Sequence, residues 1–211
     1  MPTVKQATAG AGFDVNQPLS GAQAAAFKAA GMDFCIRYLP RTPALISGNL
    51  TAKEIEIILT AGLSLMAVQH VAMPGWEPNA ALGLEYGSYA AQYAKEISLA
   101  PGINLWLDLE GVGRRVKAED VIAYCQAWYT AVSASGYVPG LYVGWNVVLS
   151  DQQLYDLPFA HYWKAYNCDQ SIPTEGWQIL QHPQLRMSGI EYDPDTIQAD
   201  ELGDLPVWVS A

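Results

Sequence analysis

The stretch from Leu105 to Glu110 reads LWLDLE, an apolar run that ends in two carboxylates and is followed at once by Gly111. In a β-strand, residues i and i+2 point to the same face, roughly 6.5–7 Å apart along the strand. A strand with this sequence therefore delivers Asp108 and Glu110 to one spot at its C-terminal end. Two carboxyl groups close together are the smallest set of catalytic groups needed for acid–base hydrolysis of a glycosidic bond. The alternative is an Asp and a Glu in a solvated loop, because the Asp-x-Glu pattern is common.

Strands and helices alternate on both sides of this stretch. We predict strands at residues 12–15, 34–39, 63–70, 103–109, 137–143, 161–166 and 176–181, with a possible eighth at 189–197. Helices are predicted at residues 20–31, 51–61, 79–99 and 118–135. In the second helix, Thr51 and Glu54 have the spacing of a capping box. Helical patterns are scarce in the last third of the chain.

This alternation indicates βαβ units and a parallel sheet, and seven or eight apolar strands fit a closed barrel better than an open sheet. A chain of 211 residues lies near the lower limit for a (β/α)8 barrel, about 200 residues, so some outer helices must be missing. We therefore predict an α/β fold. Residues 1–211 would form a single domain, an irregular (β/α)8 TIM-like barrel with reduced helices in the C-terminal third.

The composition disfavours several classes of protein. With 51% hydrophobic and 15% charged residues, the chain is expected to be globular with a large core. The net charge is −10, and no basic patch is present that could neutralise phosphates, so we expect no nucleic-acid partner and no membrane partner. No stretch approaches 18 consecutive apolar residues, so no membrane span is predicted.

Motifs for other chemistries are missing from the sequence. There is no Gly-x-Ser-x-Gly, no Walker A loop and no Gly-x-Gly-x-x-Gly after a strand. The three cysteines, Cys35, Cys125 and Cys168, are widely spaced and suggest no disulfide framework. Neither they nor the three histidines have the spacing of a metal site. We expect no metal and no cofactor.

Polar side chains gather at the C-terminal ends of the predicted strands, where barrel enzymes carry their functional groups. If the barrel closes, these side chains converge on one mouth. The carboxylates of this set are Asp14, Asp108, Glu110, Asp193 and Asp195. Aromatic rings suit stacking on sugars, and amides or an arginine can bond hydroxyls, although each aromatic could equally belong to the core. The predicted substrate-binding residues are Tyr38, Arg37, Gln69, His70, Tyr142, Trp145, Trp163, Tyr166, Gln178 and Gln181.

Several segments, in order along the chain, resemble the motifs of glycoside hydrolase family 25, the family of lysozyme-like muramidases. These segments are residues 12–17 (GFDVNQ), 107–110 (LDLE), 162–166 (YWKAY), and 176–179 (GWQI) through 190–193 (IEYD). Residues 34–38 (FCIRY) bring the chain closer still to a related glycoside-hydrolase-like barrel family. The resemblance extends from residue 12 to residue 197.

The resemblance implies a barrel that cleaves the β-1,4 bond between N-acetylmuramic acid and N-acetylglucosamine in peptidoglycan. Carried over by position, Glu110 would be the general acid and Asp108 its charged neighbour, while Asp14 and Asp193 would complete a ring of catalytic carboxylates. Crowding of like charges raises at least one pKa in such a ring. The chain departs from the lysozymes at Asn16, where they usually have serine, and at residues 192–195 (YDPD), where they typically show Asp-x-Asn.

Three functions stay open on the sequence alone. The first is a peptidoglycan glycosidase, acting as a phage lysin or as a delivered antibacterial effector with an immunity protein. The second is a non-catalytic barrel that binds glycans, and the third is a glycosidase for another N-acetylated glycan. The N-terminus has no apolar signal region. We therefore expect synthesis in the cytoplasm and action on the cell wall after release through a holin or a secretion system.

Overall fold

The protein is described by a computed structural model covering residues 2–45 and 47–211. Within these residues the chain forms eleven strands. They are β1 (Thr3–Gln6), β2 (Gly10–Val15), β3 (Phe34–Leu39), β4 (Ser64–Gln69), β5 (Asn104–Leu109), β6 (Val138–Val143), β7 (Tyr162–Lys164), β8 (Ile179–Gln181), β9 (Leu185–Met187), β10 (Ile190–Ile197) and β11 (Val207–Ser210).

Helices connect most of the strands in the first two-thirds of the chain. They are α1 (Gly21–Ala29), α2 (Ala52–Thr60), α3 (Ala80–Glu96), α4 (Ala118–Ala134) and the short α5 (Asp151–Tyr155), with a 3₁₀ turn at Pro43–Leu45. The predicted capping box of α2 is only half formed. The Thr51 hydroxyl accepts a hydrogen bond from the Glu54 N–H at 3.2 Å. The Glu54 carboxylate, however, binds Arg37 and the Leu19 N–H instead of turning back to Thr51.

Eight strands close into a barrel, which confirms the predicted fold class. The strands β2 to β8 are parallel to their neighbours in the order β2-β3-β4-β5-β6-β7-β8. Strand β10 closes the ring between β8 and β2, but it is antiparallel to both. The physical reason is the connection: β9 and β10 form a hairpin directly after β8, whereas a parallel strand needs a crossover of about a dozen residues or more.

The barrel interior below the mouth is filled by large side chains. Phe34 and Trp106 are fully buried there, and glycines on the neighbouring strands make room for them. A Cβ atom on Gly12 would overlap the Phe34 ring, and one on Gly140 would overlap the Trp106 ring. Since the lower interior is packed solid, a ligand can reach the barrel only at the C-terminal ends of the parallel strands.

The two chain ends close the opposite end of the barrel, a feature that was not predicted. Strand β1 pairs with β11, and β11 pairs with β4, both antiparallel. On β11, the Trp208 ring lies 5.9 Å from the Phe34 ring, centroid to centroid. This ribbon leaves the mouth as the open end of the barrel.

The outer layer of the barrel is dominated by the close packing of α3 against α4. Gly83 and Gly87 on α3 face the backbone of α4 at Tyr124 and Trp128, so closely that a Cβ atom on either glycine would overlap it. Of the helices in the described part of the chain, none is long and apolar enough to cross a membrane.

Candidate active site

The LWLDLE stretch forms β5 and ends at the mouth as predicted. Asp108 points into the barrel and is buried, and Glu110 follows the last strand residue and is half-buried. The Glu110 side chain packs on Gly144, just after β6, where a Cβ atom would lie 2.5 Å from the Glu110 Cβ. Only glycine at position 144 leaves this space for Glu110.

Backbone hydrogen bonds fix the position of Glu110 from both neighbouring loops. The Gly111 N–H donates to the Trp145 carbonyl at 2.8 Å, and the Gly75 N–H donates to the Gly111 carbonyl at 2.7 Å. The Trp76 Nε1–H donates to the carbonyl of Glu110 itself at 2.9 Å. Gly111 has a φ of +63°, in the left-handed region that favours glycine. These contacts hold the backbone that carries the Glu110 side chain in one position at the mouth.

Burial raises the pKa of both carboxyl groups of this pair. The pKa of Asp108 lies well above its ordinary value because of burial first, and then because of the negative charges of Glu110 and Asp14. A hydrogen bond from the Val71 N–H offsets part of this rise. Burial next to another acid thus disfavours the charged form of Asp108. The role of Asp108 as the charged neighbour of Glu110 stays a prediction.

Asp14 on β2 is the centre of a second polar network at the mouth. One of its carboxylate oxygens accepts from the Tyr38 hydroxyl at 3.0 Å, and the other accepts from the Gln181 amide at 2.8 Å. The Tyr142 hydroxyl in turn donates to Gln181 Oε1 at 3.0 Å. Burial, followed by the charge of Asp193, raises the pKa of Asp14 to about 7, although the two hydrogen bonds act in the opposite direction.

The antiparallel strand β10 places two more acids beside Asp14. Asp193 pairs with Asp14 across the ladder and is half-buried, whereas Asp195 lies opposite Gly12, one layer deeper, and is buried. The Trp163 Nε1–H donates to Asp195 Oδ1 at 2.9 Å. Asp195 was noted with Asp193 in the sequence but was not chosen as a site residue. Its position beneath the mouth follows from the reversed direction of β10.

A small polar cavity of about 180 Å³ opens next to Asp14. Residues from β2 and the loop after it, from β3, from the segment between β8 and β9 and from β10 form its wall. The lining residues are Asp14, Val15, Asn16, Gln17, Tyr38, Gln184, Glu191, Tyr192 and Asp193.

The structure brings several predicted substrate-binding residues together at the mouth. The His70 ring lies 4.5 Å from the Tyr38 ring, and burial, followed by the charges of Arg41 and Arg37, lowers the His70 pKa to about 4. Trp145 is 42% exposed on the rim. Tyr166 is 59% exposed on the loop after β7.

Two further residues of the predicted set, Tyr142 and Gln181, lie lower in the barrel and hold the Asp14 network. Trp163, also predicted to bind substrate, is fully buried beneath them. Its ring lies 4.6 Å from the Tyr142 ring, and its Nε1–H donates to Asp195, so it supports the site from below.

Two residues predicted to bind substrate face away from the mouth, and strand parity is the reason. Tyr38 points into the barrel, so its neighbour Arg37 points outward, where its Nε forms an ion pair with Glu54 at 2.6 Å. Gln69 points outward from β4 and donates to the Tyr86 carbonyl at 2.8 Å. Both side chains connect the barrel to its outer layer.

The structure also places Gln178, a third residue predicted to bind substrate, away from the mouth. It lies directly before β8, at the start of that strand and not at its C-terminal end. Its Oε1 accepts from the Tyr162 N–H at 2.6 Å, and its amide donates to the Ala160 carbonyl at 3.1 Å. The predicted strand began too early, at residue 176, and this placed Gln178 nearer the mouth than it is.

The sequence prediction missed two further residues of the site. Arg41 lies after β3, donates to the Val71 carbonyl and lies 5.6 Å from the Tyr86 ring. Its charge lowers the pKa of His70 and, weakly, that of Asp108. Gly144 is the second. The available signal was a polar residue or a glycine within two positions after a predicted barrel strand.

Metal ligands are not grouped in the described structure. Over residues 2–45 and 47–211, no set of three or more His, Cys, Asp or Glu side chains is arranged to hold a metal ion.

Residues 25–202 match the Rv2525c-like, glycoside hydrolase-like domain family. The chain belongs to this family. The matched region contains β3 to β10 and the site residues named above that lie on those strands and the loops between them. The site residues of segment 14–17, Asp14 among them, lie before it. No curated protein matches the chain.

Solved structures with the same barrel include proteins of bacteria and phages. The Tat-secreted protein Rv2525c of Mycobacterium tuberculosis, in complex with L-tartrate, has a TM-score of 0.69 and 13% identity over 93% of this chain and 99% of that one. The catalytic domain of the endolysin ply40, from bacteriophage P40 of Listeria monocytogenes, has a TM-score of 0.61 and 16% identity over 90% and 94%. The spore cortex lytic enzyme SleM of Clostridium perfringens has a TM-score of 0.62 and 13% identity over 94% and 70%. At these identities the similarity is one of fold.

Proposed function

We propose that this protein is a glycosidase that cleaves a β-1,4 bond of peptidoglycan, or of a related N-acetylated glycan, across the barrel mouth. The observation that carries the proposal is the Asp108–Glu110 pair at the mouth. The Asp108 carboxyl group is buried, and the Glu110 carboxyl group is half-exposed on a segment whose backbone is held by hydrogen bonds to the neighbouring loops. The fold is shared with an endolysin catalytic domain and a spore cortex lytic enzyme, which supports the same class of reaction.

Glu110 is the proton donor in this proposal. It is the member of the pair that a substrate can touch, and burial raises its pKa, so it keeps its proton to a higher pH than an exposed glutamate. It gives that proton to the oxygen of the departing sugar, a water molecule supplies the hydroxyl group that bonds to the anomeric carbon, and the proton released by that water restores the acid form of Glu110. Burial favours the protonated form of Asp108 beneath it, and this form adds no negative charge next to the leaving group.

Asp14 supplies the opposite charge. When ionised, its carboxylate stabilises the positive charge that develops on the sugar ring in the transition state. The Tyr38 hydroxyl and the Gln181 amide hold that carboxylate in one orientation. Trp145 and Tyr166 offer exposed aromatic faces on which neighbouring sugar rings can stack.

The test is hydrolysis by the purified protein. Wild-type protein should release new reducing ends from purified peptidoglycan, and Glu110→Gln should lower the rate at least about 100-fold, the usual scale for removal of a general acid. Glu119→Gln is the matched control, because Glu119 is exposed on the first turn of α4. Equal activity in wild-type protein and Glu110→Gln would remove Glu110 from the mechanism.

A second candidate is glycan binding without turnover. The observation that favours it is the lining of the cavity next to Asp14, which includes neither Asp108 nor Glu110. A glycan would then lie across the mouth, held by the aromatic rim. Saturable binding of purified glycan strands by wild-type protein, unchanged in Glu110→Gln and without products, would favour this candidate over hydrolysis.

The proposed place of action is the bacterial cell wall, reached by a phage lysin through a holin or by an effector through a secretion system. Expression directed to the periplasm should lyse a bacterial host, whereas expression in the cytoplasm should not. Lysis by the Glu110→Gln variant in the periplasm would contradict the proposal that the protein acts there as an enzyme. An immunity protein would be identified as a co-expressed partner that prevents the lysis.

A further inference from the structure

A second pair of carboxyl groups lies beneath the mouth, apart from Asp108 and Glu110. Asp14 on β2 and Asp195 on β10 belong to adjacent antiparallel strands and both point into the barrel. Each is 1% exposed. A hydrogen bond between their carboxyl groups is among the causes that shift the pKa of each.

The hydrogen-bond donors around the pair are unequally shared. Both oxygens of Asp14 accept a hydrogen bond, one from Tyr38 and one from Gln181. Asp195 Oδ1 accepts from Trp163, but in the described part of the chain no donor reaches Asp195 Oδ2. A buried carboxylate oxygen without a donor is costly.

The contact between the two acids needs a proton. An ionised carboxylate only accepts hydrogen bonds, so two ionised carboxylates cannot bond each other. The two donors aimed at Asp14 stabilise its charged form, whereas Asp195 has one donor and a bare oxygen. The proton therefore belongs on Asp195 Oδ2.

We propose that Asp195 is a positioning residue that retains a proton above pH 7 and donates a hydrogen bond to Asp14, so that the pair then holds one negative charge and this charge lies on Asp14. The kinetic consequence of this arrangement rests on the proposed function, but the location of the proton does not. Burial raises the pKa of Asp195 well above its ordinary value, and the nearby charge of Asp14 adds to the rise, which agrees with the geometry.

Other titratable groups face the pair from most sides of the barrel. Asp193 lies on the same strand as Asp195 and raises the pKa of Asp14 by its charge. Tyr38 from β3 and Tyr142 from β6 have raised pKa values, because burial and the nearby acids disfavour their phenolates. The remaining titratable groups near the pair are Asp108 from β5 and, on the outer face of β3, Cys35.

Two substitutions separate the proton from the negative charge. In Asp195→Asn, the amide oxygen can still accept from Trp163 and the amide nitrogen can donate to Asp14, as the proposed protonated acid does. Asp195→Leu has a similar volume and no donor. Carbon-13 NMR of aspartate-labelled protein then follows the Asp14 carboxyl through a pH titration, with no substrate present.

We expect the proton affinity of Asp14 to change less than about threefold in Asp195→Asn and to rise at least about tenfold in Asp195→Leu, because a hydrogen bond to the charged form lowers a pKa. Asp193→Asn is the matched control: it removes a charge but no proton donor, and it should lower the proton affinity of Asp14. A rise in Asp195→Asn as large as in Asp195→Leu would overturn the proposal.

Infrared difference spectroscopy keeps the proposal testable if Asp195→Leu does not fold. Subtracting the spectrum of Asp195→Asn from that of the wild type at pH 8 should leave the band of a protonated carboxyl group. A difference spectrum with only a carboxylate band would show that Asp195 is ionised and would overturn the proposal.

Kinetics give the functional readout. Asp195→Asn should retain kcat within about threefold, and Asp195→Leu should lower kcat by about 10- to 100-fold, the range for partners that orient a functional group. If the wild type hydrolyses no glycan, the proposed function fails, while the titration still decides where the proton lies.

Discussion

The Glu110 side chain rests directly on Gly144, where a Cβ atom would lie 2.5 Å from the Glu110 Cβ and would overlap its carboxyl oxygen. The contact joins the end of β5 to the end of β6. It makes a glycine on one strand responsible for the position of an acid on the next.

Gly144→Ala should therefore move Glu110 without removing it. We expect kcat on peptidoglycan to fall by about 10- to 100-fold, because a displacement of about 1 Å in a catalytic group has this scale of effect. Circular dichroism should show that the variant is folded. Gly21→Ala is the control, since nothing lies within 4 Å of a Cβ atom at the start of α1. Full activity in Gly144→Ala would mean that the position of Glu110 does not limit the reaction.

The pH profile of the reaction should report the ionisation of Asp14. Its pKa of about 7 predicts that kcat/KM rises with pH through an acidic limb near pH 7. Asp193→Asn removes a charge that raises the pKa of Asp14, so the limb should shift to lower pH. Glu119→Gln, exposed on α4 in the outer layer, should leave the limb in place. If the acidic limb of the pH profile stays at the same pH in Asp193→Asn, the limb reports the ionisation of a group other than Asp14.

Stability should fall as the pH rises from 5 to 6.5. Burial raises the pKa of Asp14 from 3.8 to about 7, so in this range the folded state holds a proton that the unfolded state has lost. The free energy of unfolding then decreases by about 1.4 kcal/mol per pH unit for this group. Urea unfolding at several pH values measures the slope of the free energy of unfolding against pH. Asp14→Asn should make this slope less steep by about 1.4 kcal/mol per pH unit, the contribution of one proton. A free energy of unfolding that increases over this range would contradict the burial of a protonated Asp14.

Arg37 should matter for folding and not for substrate binding. It is fully buried, and its guanidinium binds Glu54 and the Val15 carbonyl. Arg37→Met should cost about 3–5 kcal/mol in free energy of unfolding, because it leaves the Glu54 charge buried and unpaired. The double variant Arg37→Met, Glu54→Leu should recover part of this loss. A raised KM in a stably folded Arg37→Met variant would instead indicate that Arg37 contributes to substrate binding.

The positions of the strands and of the Asp108–Glu110 pair could be predicted because they depend on local patterns. An apolar run ending in Asp-x-Glu fixes which residues share a face, whatever surrounds it. Parity separates Arg37 from Tyr38 and Gln69 from His70 just as surely, since neighbours on a strand point in opposite directions. The prediction placed both members of each pair at the mouth and was wrong for one of each.

Other features depend on contacts that no local pattern records. The residues of β10 would suit a parallel or an antiparallel strand, and only the hairpin with β9 determines its direction. That direction decides that Asp195, and not only Asp193, lies beside Asp14. The ribbon of β1 and β11 joins residues some 200 positions apart in sequence. The raised pKa of Asp108 likewise follows from burial, which the sequence does not specify.

The central claim is that Glu110 donates a proton to a glycosidic oxygen of peptidoglycan. Mass spectrometry of the fragments released from purified peptidoglycan tests it most directly, because the new chain end names the bond that was cut. Wild-type protein should produce fragments with N-acetylmuramic acid at the new reducing end, and Glu110→Gln should produce none above background. Fragments with any other chain end, or the same fragments from Glu110→Gln, would contradict the claim.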